Sequence, residues 1–419
     1  MSSERLLFPD HDHYWFETLR VLGHTAYGGA DVGEVLTAAA QITAGDPSSW
    51  HDAWSAMAQR VAATARHSQQ GGHPVSARDN WLRASTYYRI SDFYLHADPD
   101  DPRVEHAHRQ ATACFASHAT LAEHPVTPVR VPFEGVELTG WFSRAHRGPG
   151  PRPLLVLLNG FDGPAEEMHF LGGLAGAERG FHTLAFDGPG QPSALRDHRL
   201  AFRPDWETVV SAVLDHVLHT HGQDIDQAQI ALLGVRLGGV LAPRAAAHDL
   251  RIRALICVDG IYDASSTLAD LLGTDRKGLE RLAADPEAEA QLAAAAERTP
   301  ILSWVFDHGR YAMGVSSRTA LLGQYLRYHL REGLAEQIRC PTLVCEAGDD
   351  IFFGADNVGT TQPRELMHHL TCPATLLTFT PAEGAAAHGH AGAERLAMTR
   401  ILDWLEETLA TTGSSSPSP

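Results

Sequence analysis

The chain has 419 residues, 44% hydrophobic and 20% charged, which is enough for two domains and a sizeable core. Its formal net charge of −18, with 25 histidines counted as neutral, argues against nucleic acid and anionic membranes as partners. No run of ~18 apolar residues is present to span a bilayer.

The opening stretch, MSSERLLFPDHDHYWFETLR, lacks the charged-then-apolar build of a secretory signal, so the cytoplasm is the expected location. Residues 1–126 read as an N-terminal helical domain. WHDAWSAMAQRVAATARHS and WLRASTYYRISDFYLHA repeat apolar residues at three- and four-residue spacing, DPDDPR makes a turn, and EHAHRQATACFASHATL is another helix. A core domain is expected over 127–411. It starts with VRVPFEGVELTGWFSR, which alternates like a half-exposed hairpin turning near Glu134-Gly135.

Short apolar runs then recur, most ending in Gly and Asp: PLLVLLNG, FHTLAFDGPG, IALLGVRLGG, LRIRALICVDG, PTLVCEAGDD and ATLLTFTPAEG. Amphipathic stretches such as WETVVSAVLDHVLHTH separate most of them. Strands alternating with helices predict a doubly wound, mostly parallel α/β sheet with function at the carboxyl ends of its strands. Helix-rich sequence over 262–336 interrupts the alternation and is expected to form a lid. The tail 412–419 is expected to be disordered. Five scattered cysteines, Cys114, Cys257, Cys340, Cys345 and Cys372, show no CxxC spacing, so neither a disulfide framework nor a metal site is predicted.

The strand ends carry the candidate chemistry. ALLGVRLGGV holds the frame of a nucleophile elbow, G-x-S-x-G, with Arg236 at the position of the serine. A guanidinium cannot serve as an acyl nucleophile, but it can hold a carboxylate or an enolate. The bland alternative is a dead elbow whose arginine pairs with Asp187 or Asp259. The backbone amides of Phe161, in NGFDG, and Leu237 are the candidate oxyanion hole. Gly160, Asp162 and Asp259 are expected beside the substrate. Asp350, with Asp349 as competitor, follows a strand where a triad acid belongs. His388, with His390 as rival, lies in the loop before the final helix, and this chain order matches the elbow–acid–base order of the fold. Cys257 and Ser193 are the candidates for a relocated nucleophile.

Over nearly its whole length the chain resembles the α/β-hydrolases that carry an N-terminal helical domain. That group includes 2,6-dihydropseudooxynicotine hydrolase and the fungal hydrolase that shortens a heptaketide pyrone. The resemblance lies in GHPVSARDNWLRASTYYRISDFYLHADPDDPR, NGFDGPAEEM, ERGFHTLAFDGPGQ, FRPDWE, GGVLAPRAAA, ALICVDGIYD and EGAAAHGH. It implies an α/β-hydrolase fold, hydrolysis of carbon–carbon bonds beside a ketone, and a triad in which Asp350 and His388 are met and the serine is not. More distantly, the chain resembles the FrsA-like proteins, which carry arginine in a G-x-R-x-G elbow.

The expected activity is therefore that of a cofactor-independent enzyme on a ketone or ester, acting as a carbon–carbon lyase, decarboxylase or cyclase through His388, Asp350 and Arg236. Hydrolysis by a His-activated water is the alternative, and a non-catalytic small-molecule receptor is the reading from another class. A small molecule is the expected partner, and a homodimer the candidate assembly.

Overall fold

The computed structural model describes residues 5–148, 150–354 and 360–413, with backbone only for 412 and 413. Eight strands form one sheet: β1 (Val126–Phe133), β2 (Val136–Ser143), β3 (Arg152–Leu158), β4 (His182–Phe186), β5 (Ile225–Val235), β6 (Ile252–Val258), β7 (Thr342–Ala347) and β8 (Ala374–Phe379). Their order is β1-β2-β4-β3-β5-β6-β7-β8. The β1–β2 hairpin closes with Phe133 opposite Val136, and both turn residues, Glu134 and Gly135, have positive φ. This is the two-residue turn that matches strand twist. β2 pairs antiparallel with β4, and every later pairing is parallel.

The central strands are buried at almost every position because both faces of the sheet are covered. Side chains alternate between two cores. Leu154, Val156 and Leu158 pack on one face with Val209, Val213 and Leu241 from helices 206–221 and 238–248. Leu155 and Leu157 pack on the other with Ala397, Ile401 and Leu405 of the last helix. That helix runs to Gly413, past the start of the expected tail, and residues 414–419 lie outside the described residues.

Before the sheet come helices Asp12–Gly23, Val32–Ala39, Pro47–Gln70, Pro74–Ser91 and Pro102–Leu121. Three of them start on proline, which fits the first helical turn, and Asp46 and Asp101 cap two of these through the amides of Ser48 and Arg103. Between β6 and β7 the chain forms helices Ser265–Leu271, Arg276–Ala284, Ala288–Arg298, Pro300–Ala312 and Arg318–Tyr325. This insertion meets the N-terminal helices directly. Trp304 stacks on Phe93 at 4.9 Å, and its Nε1 donates to the Phe93 carbonyl at 3.1 Å. Among the described residues, no helix is long and apolar enough to cross a membrane.

Candidate active site

The site grows from a strained turn. Arg236 follows β5 directly, with φ +57, a conformation costly for a residue bearing a Cβ. Its amide donates to the Val258 carbonyl at 3.0 Å, and its carbonyl accepts from Gly239 at 2.7 Å as the next helix begins. The frame glycines make this turn possible: a Cβ on Gly234 would sit 2.0 Å from the Gly238 carbonyl oxygen. Gly160 is a spacer of the same kind, because a Cβ there would lie 2.7 Å from Cβ of Arg236.

A cavity lies over the elbow, at the carboxyl ends of the strands. Every layer contributes to its wall: Phe16, Glu17 and Arg20 from the first helix, Phe161 and Asp162 after β3, Arg236 and Leu237 at the elbow, Trp304 and Tyr325 from the insertion, and His388 after β8. The amides of Phe161 and Leu237 donate to no acceptor among the described residues. The Phe161 carbonyl accepts from Nε2 of His308 at 3.1 Å, so a residue of the insertion holds this loop.

His388 stands on the loop after β8, buried against Phe352 and Phe353. Its Nδ1 lies 3.0 Å from Oδ2 of Asp350 and 3.0 Å from Oδ2 of Asp259. Asp350 is held in turn by the amides of Phe352 and Phe353, at 2.7 and 2.9 Å. Asp259 accepts from the Gly389 amide and leaves Oδ1 unpartnered among the described residues. Burial opposes the charged imidazole, but the two carboxylates outweigh it and lift His388 from 6.5 to about 9. The resting form is the imidazolium. Nε2 makes no hydrogen bond among the described residues and serves the cavity.

Several placements differ from the sequence reading. Asp259, expected beside the substrate, is fully buried behind the imidazole instead, because β6 ends next to the His388 loop. Arg236 pairs with neither Asp187 nor Asp259; its Nη1 reaches Glu167 at 3.3 Å. Asp187 instead accepts from the amides of Ala165 and Ser193, and burial beside Glu166 raises it to about 7. Asp349 is exposed, and the contact to His388 comes from Asp350. His390 is buried against Phe379, with Nδ1 on the Ala385 carbonyl. Ser193 and Cys257 are buried outside the cavity wall, and burial pushes the Cys257 thiol well above its usual range. Nδ1 of His388 and one oxygen from each aspartate lie within 4.8 Å of one another, a spacing a cation could share. The hydrogen bond from Nδ1 to Asp350 at 3.0 Å already occupies that nitrogen.

The sequence reading missed a buried charge network. Glu167 accepts from Nε and Nη2 of Arg20, both at 2.5 Å, from Arg89 at 3.4 Å and from Asn159 at 2.9 Å, besides Arg236. Arg20 also reaches Asp162 at 2.6 Å. Burial alone would raise Glu167, but Arg20, Arg89 and Arg236 hold it well below the usual carboxylate range. The available signal was His13, Glu17, Arg20 and His24, spaced by three or four residues.

Sheet order, hairpin lead-in, elbow and the acid and histidine at successive strand ends together define an α/β-hydrolase-fold protein. The crystal structure of 2,6-dihydroxy-pseudo-oxynicotine hydrolase shares this fold with a TM-score of 0.72 at 21% identity, over 94% of this chain and 98% of that one. The chain belongs to the FrsA-like esterase family, whose model matches residues 39–272. Hydrolase LUC6 from Fusarium sp is 33% identical over 94% of this chain and 96% of its own length. The 20-hydroxy-prefusarin hydrolase FUS2 from Gibberella moniliformis is 32% identical over 95% and 97%.

Proposed function

We propose that this protein is an enzyme that breaks a carbon–carbon bond beside the ketone of a polyketide-like small molecule, without an acyl-enzyme. One observation carries the reading. An imidazolium clasped by two carboxylates shares a largely aromatic cavity with two unpaired amides, at an elbow that has no nucleophile.

In a β-hydroxy ketone the ketone oxygen would sit against the amides of Phe161 and Leu237. As the bond between the α and β carbons breaks, its electron pair enters the ketone as an enolate, and the β-oxygen becomes a carbonyl as it loses its proton. His388 delivers its Nε2 proton to the α carbon. Each oxyanion donor is worth about 3–4 kcal/mol and a placed proton donor ~10²–10⁴-fold in rate. Arg236, fixed by Glu167 beside the hole, adds positive potential where the enolate charge grows. Decarboxylation of a β-keto acid and ring closure, the reverse addition, draw on the same groups.

A second reading is hydrolysis by water activated at His388, which the names of the two relatives favour. It needs the neutral imidazole, so the two readings have opposite pH dependence. The test is turnover of β-hydroxy ketones, β-keto acids and β-diketones by variants. His388→Ala abolishes activity, and Arg236→Ser gives no acyl-enzyme burst with p-nitrophenyl acetate. Full activity in Arg236→Ala would remove the arginine from the mechanism.

A further inference from the structure

The cleavage above needs a group to take the proton from the β-oxygen, and His388 at rest already holds one. Besides His388, the cavity wall carries carboxyls at Glu17 and Asp162, and Asp162 is the one held by a short bond, at 2.6 Å from Arg20. Glu17, on the first helix, is 1% exposed and lines the cavity beside Phe16, whose ring packs against His388. It makes one polar contact, from Nη1 of Arg20 to Oε2 at 3.2 Å. Arg20 spends its stronger donors elsewhere, on Glu167 at 2.5 Å and Asp162 at 2.6 Å. Oε1 of Glu17 makes no hydrogen bond among the described residues. Nε2 of His13 lies 3.9 Å from it, too far for a hydrogen bond. A carboxyl oxygen free of partners at a cavity wall is available to a hydroxyl that enters the cavity.

We infer that Glu17 is a second catalytic residue, the base whose Oε1 takes the proton of the substrate's β-hydroxyl while His388 protonates the α carbon from the other side of the breaking bond. This rests on the cleavage proposed above. Protons balance: one passes from the hydroxyl to Glu17, one from His388 to carbon, and solvent resets the pair. The groups facing Glu17 suit the role. Burial and Asp162 push its carboxyl upward, while Arg20, Arg89 and Arg236 restrain the rise. Once ionised it is a stronger base than a surface carboxylate. The helical domain thereby supplies half of the proton transfer, and the core alone would be an incomplete site.

The test uses 4-hydroxy-4-(6-methoxy-2-naphthyl)butan-2-one, whose cleavage releases a fluorescent aldehyde. Glu17→Gln should lower kcat by about 10²-fold or more with KM little changed. It should also erase the acidic limb of the kcat/KM–pH profile, and Glu17→Asp should restore part of the rate and the limb. Thermal melting of each variant separates a folding defect from a chemical one, and Glu17→Asp carries the test if Glu17→Gln does not fold. Wild-type kcat in Glu17→Gln beside an inactive His388→Gln overturns the role of Glu17 and leaves the cleavage standing. Activity in both variants overturns the roles of both residues. If the wild type does not act on the ketone, the cleavage falls. Infrared difference titration of wild type against Glu17→Gln then decides Glu17 alone: a carboxyl that ionises in the ordinary range overturns its assignment as a base.

Discussion

Replacing Asp350 by Asn removes one of the two carboxylates that share Nδ1 of His388. The lift of His388 from 6.5 to about 9 corresponds to about 3 kcal/mol favouring the imidazolium, at ~1.4 kcal/mol per tenfold in proton affinity. Burial opposes that lift, so the two carboxylates together supply more than the net. They sit at the same distance, 3.0 Å, and losing either one should therefore remove more than half of the net lift. The assay is ¹⁵N NMR of histidine-labelled protein across pH, with His388→Gln used to assign the resonance. The wild-type midpoint should lie near 9, and Asp350→Asn and Asp259→Asn should each fall well towards 6.5. The linkage to stability has a definite sign. Because the folded value is raised, the stabilisation is complete below pH 6.5 and is lost as pH rises through about 9. A midpoint still near 9 in both variants would refute the two-carboxylate clasp.

Arg20→Met should destabilise the fold by roughly 3–5 kcal/mol in urea titration, because Glu167 and Asp162 lose their main partner while remaining buried; a loss under about 1 kcal/mol would mean the network is solvated. Gly234→Ala should cost about 1–3 kcal/mol or prevent folding, since its Cβ would meet the Gly238 carbonyl at 2.0 Å; an unchanged melting temperature would show that the turn can relax. Dialysis against a chelator should leave activity unchanged, because Nδ1 of His388 already donates to Asp350 at 3.0 Å. Activity restored only by an added divalent cation would assign the cluster to a metal.

The sheet was legible because each central strand is a short apolar run ending in Gly or Asp, the signature of a strand buried on both faces. The elbow was legible through its glycines even without a serine. The partner of Arg236 was not: Glu167 sits in PAEEM, an acidic pair that looks like a solvated turn until the first helix folds over it. Arg20 and Glu17 were hidden for the same reason, since charged residues on an amphipathic helix ordinarily face water. Asp259 and Asp350 both end strands, and sequence order alone cannot show that β6 and β7 bring them to one nitrogen. The protonation state of His388 follows from that convergence. In the cleavage proposed above, His388 therefore acts as the acid, where the chain order alone suggests a base.

The central claim is tested most directly by the pH dependence of kcat/KM, which reports the free enzyme. If His388 is the proton donor, kcat/KM falls as pH rises through about 9, and this limb moves to lower pH in Asp350→Asn. If kcat/KM instead rises through about 9, the neutral imidazole is the working form, and carbon–carbon cleavage with His388 as the acid is contradicted.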